Sequence, residues 1–363
     1  MLKGIRVIEV EGLGPGPFAA MMLADLGAEV ICIHRPGPAP GITGEPSLLD
    51  RGKQSIILDL KDADDLAVAR ALIGTADALI EGFRPGVMER LGLGPDICHG
   101  DNPKLIYGRM TGWGQDGPRA QTAGHDYNYI ATSGALWYAG EPGRPPITPA
   151  TLMGDIGGGA LYLVAGILAG LIGAGRTGKG TVVDAAIVDG SAHMMALLMA
   201  MRPSGNLKEA RGQSLLDGPH WSRSYTCADG RYISVQCLEA KFYAVFLRLM
   251  KLSDDPVFSA QFDKAQWPAQ TARLAEIFAQ QPVDHWGELF AGSDACVAPV
   301  LSPQEAADEP HMRARGVWRE ASGVLQPAPA PRFAGPVATP KPPPERGQDG
   351  NTIRAGLKQR GLI

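Results

Sequence analysis

Two hydrophobic periods take turns along the first half of the chain. Arg6 to Val10 reads as a strand, Gly12-Leu-Gly-Pro-Gly-Pro17 as a turn, Phe18 to Leu26 as an apolar-striped helix and Glu29 to His34 as a second strand. Ser55 to Leu60 follows as a strand, Asp62 to Ile73 as a helix opened by acids suited to its dipole, and Ala78 to Gly82 as a strand. Leu105 to Met110 and Thr181 to Ile187 extend the series, the latter feeding a Met-rich helix from Asp189 to about Met201. Such alternation predicts an α/β protein whose large domain is a doubly wound, Rossmann-like parallel sheet.

The pattern changes after residue 201. Arg202 to Ser224 is polar and Gly-rich and reads as a linker. A smaller α+β domain over 225–315 is expected next, with a hairpin Tyr225 to Cys237 turning at Ala228-Asp229-Gly230, then helices Lys241 to Met250, Gln270 to Gln280 and Val283 to Phe290. Residues 316–363 return to the large domain, and eight prolines between Pro327 and Pro344 predict an extended strap. The 15-residue apolar run Ala160 to Ala174 carries three glycines, is shorter than the roughly 20 residues a membrane span needs, and reads as a core helix.

With 363 residues and 45% hydrophobic content, the chain has the length of two domains at about 150 residues each and enough apolar mass for a sizeable core. Its 34 basic and 38 acidic side chains give a net charge of -4, which offers nucleic acid or an anionic membrane no global attraction. Five scattered cysteines form no C-x-x-C and no metal-ligand spacing, so no metal site and a reducing compartment are expected. Neither the start of the chain nor its end, Gly361-Leu-Ile363, carries a recognisable address, and the expectation is cytoplasmic.

Four features could carry chemistry. Gly14-Pro-Gly-Pro-Phe-Ala19 fits the dinucleotide fingerprint G-x-G-x-x-A, but Pro15 and Pro17 lack the amides that would meet a pyrophosphate, and the second strand ends in His34-Arg35 where NAD would want an acid. A tight turn is the plain alternative; Arg35 would suit a phosphorylated ribose. Cations recur at predicted strand ends, at Arg35, Lys61, Arg84 and Arg90, on the edge where open α/β sheets bind ligands. They suit a ligand with several phosphates, or are ordinary surface charge. Gly124-His-Asp-Tyr-Asn-Tyr129 sets an imidazole beside a carboxylate after the loop Gly112-Trp-Gly-Gln-Asp-Gly-Pro118, where His125 either serves a site or caps and packs. Gly154-Asp-Ile-Gly-Gly-Gly159 places Asp155 where a helix cap would stand, and its glycines leave backbone N–H groups open to a developing oxyanion.

Taken together, Gly14-Pro-Gly-Pro-Phe18, Arg35-Pro-Gly37, Leu58-Asp-Leu-Lys61, Arg109-Met-Thr-Gly-Trp-Gly114, Gly124-His-Asp-Tyr-Asn-Tyr129, Gly154-Asp155, Val183-Asp-Ala185 and Asp294-Ala-Cys296 make the chain resemble the α-methylacyl-CoA racemases of the family III CoA-transferase (CaiB/BaiF) group along nearly its whole length. The resemblance implies His125 and Asp155 as the two catalytic bases, supported by Glu239 of the small domain. It implies CoA contacts at Arg35, Leu58, Asp59, Leu60, Lys61, Arg84, Arg90, Gly124, Asp126, Tyr127, Asn128 and Tyr129. It further implies an acyl-CoA substrate, no separate cofactor, and an interlocked homodimer whose sites join the large domain of one subunit to the small domain of the other. Transferases of the group use an Asp at the place of Asp155 as nucleophile and generally lack the His, so His125 favours proton transfer. Tyr127 stands where these racemases have Ile, and Pro219 to Tyr225 and Gln236 to Tyr243 also depart from their pattern. A CoA transferase, a catalytically silent acyl-CoA binder and an NADP oxidoreductase are the competing readings.

Overall fold

A computed structural model describes residues 1–38, 44, 46–336 and 338–363. The chain forms two units. The first comprises Met1–Leu136, Pro149–Met195 and Pro310–Ile363; the second comprises Trp137–Thr148 and Ala196–Glu309.

The first unit is built on a six-stranded sheet of β1 (Arg6–Val10), β2 (Glu29–His34), β3 (Gln54–Ile57), β4 (Ala78–Glu81), β5 (Ile106–Thr111) and β6 (Thr181–Ala186), in the order β3-β2-β1-β4-β5-β6. All neighbouring strands are parallel. Side chains alternate across it: Val7, Val30, Ile80 and Ile106 enter one core, and Ile8, Ile31, Leu79 and Tyr107 the other. Helix α1 (Pro15–Asp25) covers the first face, while α2 (Ala63–Gly74), the short α3 (Val87–Arg90) and α4 (Pro95–Asp101) cover the second. Burial on both faces is why β1 and β2 read as near-continuous Val and Ile runs. The order reverses beside β1, so the β1 and β4 ends form the crevice where such sheets take ligands.

Several expected boundaries shift for local reasons. Helix α1 begins at Pro15 instead of Phe18, with Gly14 as N-cap at φ 64 and the prolines in the first turn, where a missing N–H costs nothing. Strand β3 ends at Ile57, and Leu58–Lys61 form a turn in which the Asp59 carboxylate accepts from Lys61 N–H at 3.0 Å. Asp62 then caps α2, accepting from Asp64 and Asp65 N–H. The helix α5 (Asp126–Ser133), unforeseen, follows the long loop after β5.

The apolar run is the largest departure. A π-helical segment Leu152–Ala160 runs straight into α6 (Leu161–Thr177), so the helix is 26 residues long rather than 15 and passes, by length and hydropathy, for a membrane span. Leu163 and Ile167 are fully buried in one core with Ile106 and Met110 of β5, so one face of the helix packs on the sheet, while Leu161 and Ile172 are exposed. Helix α7 (Ile187–Met194) crosses it closely: a Cβ on Gly190 would stand 1.9 Å from the Gly158 carbonyl oxygen.

The return after residue 315 holds more structure than its prolines suggested. Trp318–Ala321 and Val324–Pro327 pair as a hairpin, and a terminal helix, Gly350–Gln359, buries Ile353 and Leu357 in the second core. The strap between them is fastened to the sheet edge, where Gly52 N–H donates to the Pro342 carbonyl at 3.1 Å.

In the second unit an antiparallel sheet of Ser222–Thr226, Tyr232–Gln236 and Val297–Pro299 carries the three expected helices, observed at Ala240–Leu249, Trp267–Phe278 and Val283–Phe290. Its core is aromatic, with Trp221, Phe246, Phe258 and Phe278 buried. The stretch 202–224 folds within this unit: Asp217 accepts from Gly212 and Ser214 N–H, and His220 is fully buried, with its Nε2 2.8 Å from the Tyr243 hydroxyl. Burial, with Arg223 adding to it, lowers the His220 pKa to about 3 and keeps the ring neutral.

Candidate active site

Four loops of the first unit end on the carboxyl edge of the sheet. Arg35 follows β2, Leu58 to Lys61 follow β3, Arg84 and Arg90 follow β4, and the segment Gly112 to Tyr129 follows β5. Arg35, Lys61, Arg84 and Arg90 are exposed, so each can meet an anion in solvent. Leu58 is fully buried, which leaves only its backbone for a ligand.

The β5 loop is shaped around Tyr129. Its ring lies over Gly112, where a Cβ would fall 1.9 Å from the ring, and meets Trp113 edge to face at 4.9 Å. The Tyr129 hydroxyl donates to the Gly124 carbonyl, which pins the residue before His125. His125 then takes the N-cap position of α5 in extended backbone, and its N–H donates to Asn128 Oδ1 at 3.1 Å. The exposed imidazole is thus set at the helix start by its neighbours' bonds.

Asp126 turns the other way. It is 7% exposed, its Oδ1 accepts from Asp155 N–H at 2.9 Å, and its Oδ2 accepts from Thr151 N–H at 3.1 Å. This carboxylate therefore clasps the π-helical segment. A Cβ on Gly154 would stand 2.3 Å from Asp126 Oδ1, so glycine is required there for the clasp to close.

Asp155 lies inside the first turn of that segment, whose N-cap is Thr151, and is not itself the cap. Its Oδ2 is 3.7 Å from where a Cβ on Gly14 would be, at the start of α1 and over the crevice. Partial burial pushes the Asp155 pKa up to about 6, the Asp126 carboxylate adds to the rise, and His125 pulls it down. Arg84 and Asp155 both act on the Tyr129 hydroxyl, whose pKa is raised mainly by burial. His125 is thus within electrostatic reach of Asp155, and Asp155 and Arg84 are within electrostatic reach of Tyr129. A half-buried carboxyl poised near 6 can take and return protons at neutral pH.

Of the backbone N–H groups along Gly154 to Gly159 expected to stay open to an oxyanion, that of Asp155 is occupied by Asp126, and Ile156 N–H donates to the Thr151 carbonyl at 3.0 Å. The glycines after Asp155 serve packing instead: a Cβ on Gly158 would meet Ser191 N at 2.6 Å, and one on Gly159 would meet Ile187 Cγ1 at 2.9 Å. Sequence alone does not single out the clasp, because nothing local links Asp126 to a backbone 29 residues away.

Glu239 belongs to the second unit, exposed at the N-cap of Ala240–Leu249 with no side-chain capping bond, and its charge helps raise the Cys296 thiol pKa, a rise due first to burial. Cys32, His34 and Asp50 bring one potential metal-ligand atom each within 4.8 Å of one another. A cation is already there: buried Lys53 donates to Glu9 at 2.6 Å and Asp50 at 3.2 Å, which fits an ammonium better than a metal.

Known proteins share this architecture. A mouse protein named alpha-methylacyl-CoA racemase is 42% identical over 343 residues, which are 94% of this chain and 88% of that one. The human protein of the same name is 40% identical, over 93% and 88% of the two chains. The crystal structure of a CAIB/BAIF family protein from Brucella suis superposes with a TM-score of 0.82 at 29% identity, over 98% of this chain and 99% of the other. The sequence model of CoA-transferase family III spans residues 2–350, and with this fold and these relatives the chain belongs to that family.

Proposed function

We propose that this chain is an acyl-CoA racemase or epimerase that inverts the carbon alpha to a thioester carbonyl at a 2-methyl centre. The observation that carries the reading is the Asp155 carboxyl, held near 6 and within electrostatic reach of His125 at the switch point of the sheet. Inversion needs a proton taken from one face of Cα and another returned to the opposite face, with a planar enolate between. Two bases on opposite sides do this without the substrate turning over. His125 and Asp155 fill those roles, each serving as base in one direction and as acid in the other. The resemblance to proteins named alpha-methylacyl-CoA racemase supports the same chemistry.

In this reading Arg35, Lys61, Arg84 and Arg90 meet the phosphates of CoA, and the segment Gly124 to Tyr129 lies along its thioester end. The reaction asks for no cofactor beyond the CoA of the substrate itself. A homodimer in which Glu239 of one subunit supports the bases of the other, working in the cytosol, completes the proposal.

CoA transfer with Asp155 as nucleophile is the second reading, favoured by the name of the family. Incubation with a 2-methylacyl-CoA in D2O separates the two. Deuterium at Cα without an acceptor acid supports racemisation. Movement of CoA to a free acid, with no exchange, supports transfer and defeats the first reading.

A further inference from the structure

We propose that Arg109 and Glu89 are positioning residues that hold the β4 to α3 segment, and with it Arg84 and Arg90, in the geometry that binds the CoA phosphates; this rests on the functional reading above. Arg109 projects from β5 and is 7% exposed. Its Nε donates to Glu81 Oε1 at 3.0 Å, and its Nη1 and Nη2 donate to the two oxygens of Glu89 at 2.8 and 3.3 Å. Fully buried Glu81 spends its other oxygen on Phe83 N–H at 2.7 Å. One guanidinium therefore grips the segment both where it leaves the sheet and within the single turn of α3.

The residues between the two grips carry the cations. Arg84 is next to the held Phe83, and Arg90 is next to the held Glu89. Val87 N–H donates to the Arg84 carbonyl at 3.1 Å and Arg90 N–H to the Gly86 carbonyl at 3.2 Å, so the backbone between the grips is one bonded turn. Gly86 sits at φ 83, and a Cβ there would approach the Arg90 guanidinium to 3.3 Å. Two positions along β5, the Tyr107 hydroxyl donates to the Leu93 carbonyl at 2.8 Å and fixes the exit of the segment. Bidentate phosphate recognition by arginine depends on where the fork points, so a fixed backbone matters more here than for a lysine.

The sign of one substitution separates positioning from simple charge. Glu89 is an acid beside phosphate-binding cations, so if it acted by charge alone its removal would tighten CoA binding. If it acts by holding the turn, its removal weakens binding. Glu89 is 43% exposed, so Glu89→Ala leaves the buried Glu81 and Arg109 pair intact.

The test is calorimetric titration of wild type, Glu89→Ala and Arg109→Lys with free CoA and with acyl-pantetheine. Both variants should bind CoA about tenfold more weakly, as expected when one charge-assisted hydrogen bond to phosphate is broken, and acyl-pantetheine unchanged. Glu89→Ala placed on an Arg84→Ala, Arg90→Ala background should add less than about twofold, since the cations it positions are gone. Arg109→Lys, which keeps the charge but not the fork, guards against a misfolded Arg109→Ala. Wild type that fails to bind CoA overturns the functional reading itself. Wild type that binds CoA while Glu89→Ala binds it equally well or more tightly overturns this inference alone.

Discussion

Asp155 concentrates the residue-scale chemistry. Its folded pKa of about 6 lies above the ordinary carboxylate value of 3.8, so between those values the folded chain holds more protons than the unfolded one. Stability attributable to this group therefore falls as pH rises from about 4 to about 6 and is fully lost above. Asp155→Asn should melt higher than wild type at pH 8, with the gap closing as pH drops to 4; a thermal-melt series in both directions checks it, and an unchanging gap would refute the shift. Activity runs opposite: where Asp155 is the base, kcat/KM for that enantiomer should decline below about pH 6. The roles proposed for His125 and Asp155 come from the resemblance of Gly124 to Tyr129 and Gly154-Asp155 to racemase motifs, since residue types and spacing alone leave capping or packing open for both. Asp126 is not legible in its actual role, since a carboxylate that accepts two amides of a distant segment leaves no local signature.

The element that sets the proposed site is the π-helical segment Leu152–Ala160 with α1, α5 and α7, which pack on it. Sequence starts the helix only at Ala160 because glycine-rich sequence has poor helix propensity; tertiary packing against α5 and α7 overrides that preference. The glycines should therefore separate by function. Gly154→Ala would push Asp126 off the Asp155 amide and should cost most of the exchange activity with a stability loss of about 1–3 kcal/mol. Gly190→Ala, directed at the Gly158 carbonyl, should cost at least as much stability. Gly173→Ala in α6, with nothing within 4 Å of the added Cβ, should instead stabilise by about 0.5–1 kcal/mol. Urea denaturation of the three variants tests the ordering. Strands β1, β2 and β6 and helix Val283–Phe290 lie where periodicity puts them, within a residue; the helix does so because Val283, Trp286 and Phe290 form one buried apolar stripe.

At the scale of the molecule, the alternation of strand and helix foretells a doubly wound sheet, but not the order of its strands, which depends on pairings between segments far apart in the chain. The same limit hides the second unit's claim on residues 137–148, which are held by Arg211 bonding the carbonyls of Ala139, Glu141 and Arg144, and by the Arg223 to Glu141 pair. Prolines mask the terminal helix, tied to α2 by Arg354 and Asp65. The proposed dimer is tested by complementation. Inactive His125→Ala and inactive Glu239→Ala, co-refolded from denaturant, should regain part of the wild-type turnover as hybrid sites form; full activity in a monomeric fraction by light scattering would exclude that assembly.

The most direct measurement of two-base inversion follows solvent deuterium into each pure enantiomer of a 2-methylacyl-CoA, using His125→Ala and Asp155→Ala side by side. Racemisation should disappear in both. Each variant should still exchange the Cα proton of one enantiomer, and the two variants should favour opposite ones, because the base that remains faces only one side of the carbon. Loss or retention of exchange that is identical for both enantiomers in both variants would contradict it.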